Sequence, residues 1–241
     1  MGQAGRTAIL VDPPLAGSTN MTIDQDMLQC AEASEYPVTL LRLYSWEEPT
    51  VSIGYHQGVE DSFNWEYCRA RGIPVVRRPT GGRAVLHADE LTYSVVSNDP
   101  GQYPIGSLDH TYLAIAKCLQ MGFSMLGIAT ELAVGSRDTE VELKGAGKPP
   151  CFASASRHEL LCEGRKLAGS AQRRLKRSFL QHGSIPLSLD ATLMAAALGV
   201  NQDLILRTTI SLSEAAGREV VFRELAEALR AAFSQAWATT T

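Results

Sequence analysis

No apolar stretch in this chain approaches the length needed to cross a bilayer, and no internal repeat is evident. The opening residues, Met1-Gly2-Gln3-Ala4-Gly5-Arg6, lack the apolar core of a signal peptide, and Arg6 stands where a myristoylation signal would need Ser or Thr. The expectation is a cytoplasmic protein that uses no membrane. Charge of one sign is also scarce: charged residues make up 20% and the net charge is -4, which argues against a general nucleic-acid binder. The five cysteines, an odd number, show no close pairs and no metal-type spacing, so reduced thiols are expected rather than a disulfide framework. The five histidines form no His-x-x-x-His pair and share no spacing with the cysteines, so no metal site is predicted.

What the chain does have is a hydrophobic content of 45% over 241 residues, so one domain, 1–241, with a sizeable core is expected. Ala8 to Val11 reads as a strand, and Ser18-Thr19-Asn20 offers capping side chains for a helix reaching about Ala33. Val38 to Tyr44 and Thr50 to Gly54 read as strands, joined as a hairpin through the turn-like Trp46-Glu47-Glu48-Pro49. A helix over 60–71 that Gly72 terminates, a buried strand from Ile73 to Arg78, and strands at Arg83 to His87 and Leu91 to Ser97 follow. Ser107 caps a helix ending near Gly122, and the stretch Gly135 to Pro150 reads as a mobile loop. His158 to Glu163 and Arg165 to Gln172 flank a Gly164 turn as a hairpin, with Phe179 to Leu187 as a further strand and an amphipathic helix over 218–237. Strands joined by short turns, with helices between groups, give an α+β fold: a mixed, largely antiparallel sheet covered by helices. The strand and helix alternation of a dinucleotide-binding fold is missing.

Three stretches could carry chemistry. In Arg77-Arg78-Pro79-Thr80-Gly81-Gly82-Arg83-Ala84-Val85-Leu86-His87, the paired glycines let a ligand lie against backbone N–H groups, although a turn bearing surface arginines would look the same. In Gly164-Arg165-Lys166-Leu167-Ala168-Gly169-Ser170-Ala171-Gln172, the small residues at 168–171 leave a channel for a linear alkyl chain, or mark close packing of a helix. Six methylenes buried there would supply on the order of 5 kcal/mol. Gln181-His182-Gly183-Ser184 follows, and His87 and His182 are candidates for lining a pocket, whereas His56, His110 and His158 read as structural.

Cys151 follows Lys148-Pro149-Pro150 at the end of the mobile segment, whereas Cys30, Cys68 and Cys118 lie in predicted helices and Cys162 in a strand, where core thiols are expected. A thiol needs a nearby cation to become a thiolate at neutral pH, and Lys166 could supply it; an isolated cysteine can equally be inert. Arg165, Lys166, Arg173, Arg174, Lys176 and Arg177 make a basic cluster, either a solvated strand face or a dock for an anionic partner.

Taken together, Arg77 to His87, Gly164 to Gln172 and Gln181 to Ser184 resemble the biotin/lipoate ligase and lipoyltransferase superfamily, and the matching blocks occur in that family's order. Leu41 to Trp46 with Thr50 to Gly54 resembles its first hairpin, and Asn20-Met21 with Asp24 its first helix. The resemblance implies a catalytic domain in which Arg78, Thr80, Gly81, Gly82, Arg83, Ala84, Val85 and His87, with Gly169, Ser170, Ala171, His182, Gly183 and Ser184, enclose an acyl chain. Cys151-Phe152 ahead of the Lys166 strand is similar to the nucleophile position of bacillus-type octanoyltransferases. That similarity implies transfer of octanoate from acyl carrier protein to a lysine of a lipoyl-domain protein such as glycine cleavage H protein, with no cofactor. Arg173, Arg174 and Lys176 would then dock the carrier. The same superfamily contains lipoate-protein ligases, which would need ATP and Mg, amidotransferases that act between carrier domains, and noncatalytic acyl binders. Arg83 departs from the third glycine often seen in the ligase loop, and no cysteine follows residue 162, where a second octanoyltransferase type carries its nucleophile.

Overall fold

In a computed structural model, residues 5–58, 63–133 and 159–239 are described. Cys151, His158 and the expected loop at Gly135 to Pro150 lie outside them. The chain builds β1 (Arg6–Val11), α1 (Gly17–Ala33), β2 (Val38–Tyr44), β3 (Thr50–Ile53), α2 (Trp65–Arg71), β4 (Val75–Arg77), β5 (Val85–His87), β6 (Glu90–Ser97) and α3 (Leu108–Met125). It continues with β7 (Glu131–Leu132), β8 (Leu160–Cys162), β9 (Arg165–Arg174), β10 (Phe179–Pro186), α4 (Ala191–Leu198), α5 (Gln202–Thr208), α6 (Leu212–Ala216) and α7 (Phe222–Ala238). A seven-stranded sheet runs in the order β1-β2-β6-β10-β9-β8-β7, and a three-stranded sheet in the order β4-β3-β5. Among the described strands, β1 with β2 and β3 with β4 pair in parallel and the other pairs are antiparallel, so the α+β, largely antiparallel expectation holds.

One face of the large sheet carries the main core. Leu91, Tyr93 and Val95 of β6 and Ile185 of β10 meet Ile115, Leu119 and Phe123 of α3 and Leu225, Leu229 and Phe233 of α7. The i, i+4 spacing of the α7 residues lines them up on one side of the helix. The two helices approach so closely that a Cβ on Gly122 would lie 2.6 Å from Leu229 Cδ2. The opposite face is apolar only in part: Val96 and Leu180 receive Met27, Leu28 and Ala31 of α1, and the remainder of that face is polar.

Several local expectations change. The strands at 38–44 and 50–54 do not form a hairpin. Both edges of β2 are already taken, by β1 and β6, so the chain turns at Trp46 and β3 starts the second sheet between β4 and β5. The strand expected as buried over Ile73 to Arg78 is shorter, and as the edge of that small sheet it is only half-buried. Helix α1 starts at Gly17, ahead of the expected capping residues, with Ala16 at the N-cap and so no side-chain cap; Asn20 is turned inward to donate to the carbonyls of Leu15 and Ser45. Cys30 is exposed, whereas Cys68, Cys118 and Cys162 are buried as expected. His56 and His110, read as structural, are exposed. Gly72 does end α2, at φ 67, and Ser107 caps α3 by accepting the His110 N–H at 3.3 Å. No helix among the described residues is long and apolar enough to cross a membrane.

Replacing the fully buried Leu229 by alanine should lower the unfolding free energy by about 2–5 kcal/mol in urea titrations, since a cavity opens against α3. Replacing Arg223, on the outward side of the same helix, should leave the urea midpoint unchanged.

Candidate active site

The polar part of the large sheet's second face is built from two cross-strand rows. Tyr44, Thr92, Ser184 and Gly169 stand opposite one another in β2, β6, β10 and β9, and Arg42, Ser94, His182 and Ala171 form the next row. Above these rows lie α1 and the small sheet, and the space between them is a cleft of about 420 Å³ counting its open mouth. Met21, Trp46, Ser52, Arg78, Val85 and His87 line it from above, and Gly169, Ser170, Ala171, His182, Gly183 and Ser184 from below.

The floor is held by a buried guanidinium. Arg42 is fully enclosed, and its Nε donates to Asp12 Oδ2 at 2.7 Å, its NH1 to Asp24 Oδ1 at 3.0 Å and its NH2 to Asn20 Oδ1 at 2.7 Å. Asp24 Oδ2 then accepts the Tyr44 hydroxyl and His182 Nδ1, each at 3.0 Å. A carboxylate can only accept, so Nδ1 of His182 carries the proton and Nε2 is left to accept from the Thr80 hydroxyl at 2.5 Å. Burial lowers the His182 pKa, and the hydrogen bond and charge of Asp24 oppose that shift without cancelling it, so the neutral ring is favoured.

A second relay has the same design. Glu90 Oε1 accepts His87 Nδ1 at 2.8 Å, and His87 Nε2 faces Ser52 Oγ at 2.7 Å. Trp46 stacks on the His87 ring at 4.0 Å and donates its indole N–H to Thr92 at 2.8 Å and Glu90 at 3.2 Å. Burial alone would raise the Glu90 carboxyl; the neighbouring His87 and hydrogen bonds from His87, Ser184 and Thr92 outweigh it and leave the pKa lowered. Because these polar atoms bond to one another, the walls present mostly carbon to the cleft.

Arg78 is the post around which the glycine loop folds: it donates to the carbonyls of Gly81 (2.8 Å), Arg83 (2.6 Å) and Ser52 (3.0 Å) and to Ser52 Oγ. Arg77 points the other way and holds the carbonyls of Gly54, Tyr55 and Gln57. Gly54 must be glycine, since a Cβ there would collide with the Gly82 carbonyl, and Gly82 itself sits at φ 91. Gly183 is equally constrained: a Cβ would lie 2.5 Å from Tyr93 Cε1 and 2.7 Å from the Gly169 carbonyl.

Lys166 does not line the cleft, but it faces the same side of the sheet. Leu160 stands opposite Ala168 and Leu161 opposite Lys166, so Leu167 is an extra residue and the strand bulges there. Leu160, Cys162, Leu167 and Ala168 all enter the α3–α7 core, which leaves Leu161 and Lys166 on the cleft side. Lys166 is buried, not part of a solvated face, and its Nζ donates to Glu159 Oε1 at 2.7 Å. The rest of the basic cluster is spread out. Arg165 pairs with Glu163 and Glu214, Arg173 donates to the Pro79 carbonyl and stacks on Tyr55, Arg174 donates to Gln172, and Arg177 holds Glu32. Lys176 is exposed.

Thus Arg78, Val85, His87, Gly169, Ser170, Ala171, His182, Gly183 and Ser184 are brought together around the cleft. Thr80 joins through His182, and Gly81 and Arg83 through Arg78; Ala84 belongs to the small-sheet core. The sequence reading missed Arg42, Tyr44, Trp46, Ser52, Glu90 and Glu159. A charged residue amid the apolar run Leu40-Leu41-Arg42-Leu43 was the signal available for Arg42. Burial raises the thiol pKa values of Cys68, Cys162 and, to about 12, Cys118, so these remain thiols. No group of three metal-binding side chains converges among the described residues.

This arrangement coincides with a match of residues 16–234 to the lipoyl protein ligase A/B catalytic domain model. The chain belongs to that family. An octanoyltransferase LipM from Moorella thermoacetica is 39% identical over 228 residues, which cover 91% of this chain and 82% of the relative. The octanoyltransferase LipM of Kyrpidia tusciae is 40% identical over 225 residues, 90% of this chain and 82% of the relative. Among solved structures, a lipoate-protein ligase A bound with ATP superposes with a TM-score of 0.71 at 24% identity, covering 97% of this chain and 85% of the other. A bi-partite lipoate protein ligase from Thermoplasma acidophilum gives 0.72 at 21%, over 97% and 84%. At these identities the solved structures establish the family's fold.

The depressed His182 pKa has a sign that can be checked. As pH falls below about 6.5, the unfolded chain protonates this histidine before the folded protein does, so stability is lost. The lowered Glu90 and Glu32 act only below about 4.5. Urea titrations between those values should slope downward with falling pH in the parent protein and be flatter in His182→Gln.

Proposed function

We propose that this protein is an octanoyltransferase of protein lipoylation, taking an octanoyl group from a carrier-bound thioester and delivering it to a lysine of a lipoyl-type carrier domain. The observation that carries the reading is the cleft itself: a narrow slot whose polar lining groups bond to one another and leave a carbon surface suited to a saturated chain. The relatives named octanoyltransferase, at 39% and 40% identity over nine-tenths of the chain, support it.

In the mechanism, Lys166 favours the thiolate of Cys151, which attacks the thioester carbonyl of octanoyl-acyl carrier protein. The carrier thiol leaves, taking a proton, and the chain is held as a Cys151 thioester. The lysine amine of the acceptor, a domain of the glycine cleavage H protein type, attacks that thioester. The Cys151 sulfur departs, the amine loses its proton and an amide remains. Backbone N–H groups of Gly81-Gly82 or Gly169 to Ala171 stabilise the oxyanion of each step. Exchange between thioesters is nearly balanced and amide formation runs downhill, so the scheme needs neither ATP nor metal. Two arginines beside the glycine loop fit this reading: Arg77 and Arg78 donate to backbone carbonyls.

Incubation with octanoyl-acyl carrier protein in the absence of nucleotide should give an octanoyl adduct on Cys151 by intact mass, lost in Cys151→Ala. ATP-dependent acylation by Cys151→Ala would point to a ligase instead, and tight chain binding without turnover to a noncatalytic binder.

We propose also that the basic end of β9 meets the acidic carrier. Since Arg173 and Arg174 have partners inside the fold, Lys176 is the cleaner probe. Lys176→Glu should raise the KM for octanoyl-acyl carrier protein at low salt, with the difference closing as salt rises, and leave turnover of a small octanoyl thioester unchanged.

A further inference from the structure

The bulge at Leu167 decides which face of the sheet Lys166 takes. In an uninterrupted ladder starting from Leu160 opposite Ala168, Cys162 would face Lys166, and Lys166 would turn into the α3–α7 core. The extra Leu167 shifts the register so that Leu161 faces Lys166 instead. Side chains alternate along a strand, so Glu159, two residues before Leu161, lies on the same side as Lys166. The resulting ion pair, 2.7 Å between Glu159 Oε1 and Lys166 Nζ, is almost wholly removed from water, with side chains 4% and 2% exposed.

Glu159 is itself fixed from behind. Its carbonyl accepts the Ala133 N–H at 2.8 Å, and the next residue enters β8, so the carboxylate stands on a hydrogen-bonded backbone. A lysine has a long flexible stem, and an ammonium brought into a dry site adopts the position its countercharge dictates. We propose that Glu159 is the positioning residue of the transfer reaction, aiming the Lys166 ammonium along the cleft face of the sheet. This rests on the reading that Lys166 acts in transfer, and it goes beyond that reading by naming what orients it. Glu159 forms no bond to the substrate and acts only through Lys166.

The test compares Glu159→Ala, Glu159→Gln and Glu159→Asp with Lys166→Ala, using octanoyl-acyl carrier protein and a lipoyl-type acceptor domain. Folded Glu159→Ala should lose roughly a hundredfold in kcat, the scale of an ångström's misplacement, with KM for the donor unchanged. Glu159→Gln, which keeps an acceptor oxygen at the same reach, should recover at least about tenfold of that loss. A merely structural ion pair would lower Tm without this split, so a kcat within about threefold of wild type in Glu159→Ala, or no recovery by Glu159→Gln, overturns the proposal. If the alanine variant does not fold, Glu159→Asp decides: its carboxylate, withdrawn by one methylene, should lower kcat about tenfold at unchanged KM, and wild-type turnover overturns it. Wild-type turnover by Lys166→Ala would instead defeat the reading of Lys166. An inactive Lys166→Ala beside unimpaired Glu159 variants would defeat only the role of Glu159.

Discussion

A guanidinium buried in the middle of a sheet has to be surrounded by acceptors, and much of the cleft follows from how Arg42 meets that requirement. Its donors reach Asp12 at the end of β1 and Asn20 and Asp24 on α1, so the helix is docked on the polar part of the sheet in one register. Asp24 then has acceptor capacity left over, and it orients Tyr44 and His182. His182 in turn fixes Thr80, which carries the glycine loop into place. Each link leaves one more polar group whose partner must be found inside the protein, because water is excluded. Such a chain contributes less to net stability than apolar packing of the same volume would; here it sets one arrangement of helix, sheet and loop.

The relay through Glu90, His87 and Ser52 does the same on the side of the small sheet, and Arg78 joins it to the glycine loop at Ser52. The outcome is a cleft made largely from Ser, Thr, His and Arg that nevertheless offers carbon to its occupant. Glycine is needed where two backbones close on one another, as at Gly54 over Gly82 and at Gly183 between Tyr93 and Gly169. The Leu167 bulge is the corresponding device for Lys166. One added residue rotates a cation out of the apolar core and onto the face that carries the cleft, and Glu159 receives it there.

Much of this was legible in the residues. The 3.6-residue spacing of Leu225, Leu229 and Phe233 gave α7, Gly72 and Ser107 marked helix ends, and the strands at 91–97, 165–172 and 179–187 lie close to where their β-branched and small residues put them. The three motif stretches converge on one cleft as the family resemblance implied. What failed was pairing. The strands at 38–44 and 50–54 are neighbours in sequence and look like a hairpin, yet they belong to different sheets, because β6, some fifty residues later, occupies the edge that β3 would have used. The short helices between 191 and 216 leave no readable signal in the sequence, because they lack the length over which periodicity becomes visible.

The sequence by itself determined the class of fold and the residues at which chemistry could occur, since both depend on local pattern and side-chain type. Only the tertiary structure decided which polar groups are withheld from the occupant and which face Lys166 takes. Those outcomes depend on partners distant in the chain, the hydrogen bond of Asp24 with His182 and the close approach of the Tyr93 ring to Gly183, and on a one-residue shift in strand register. A change of one residue in a two-residue period reverses the side on which every following side chain emerges, and no composition or local spacing records it.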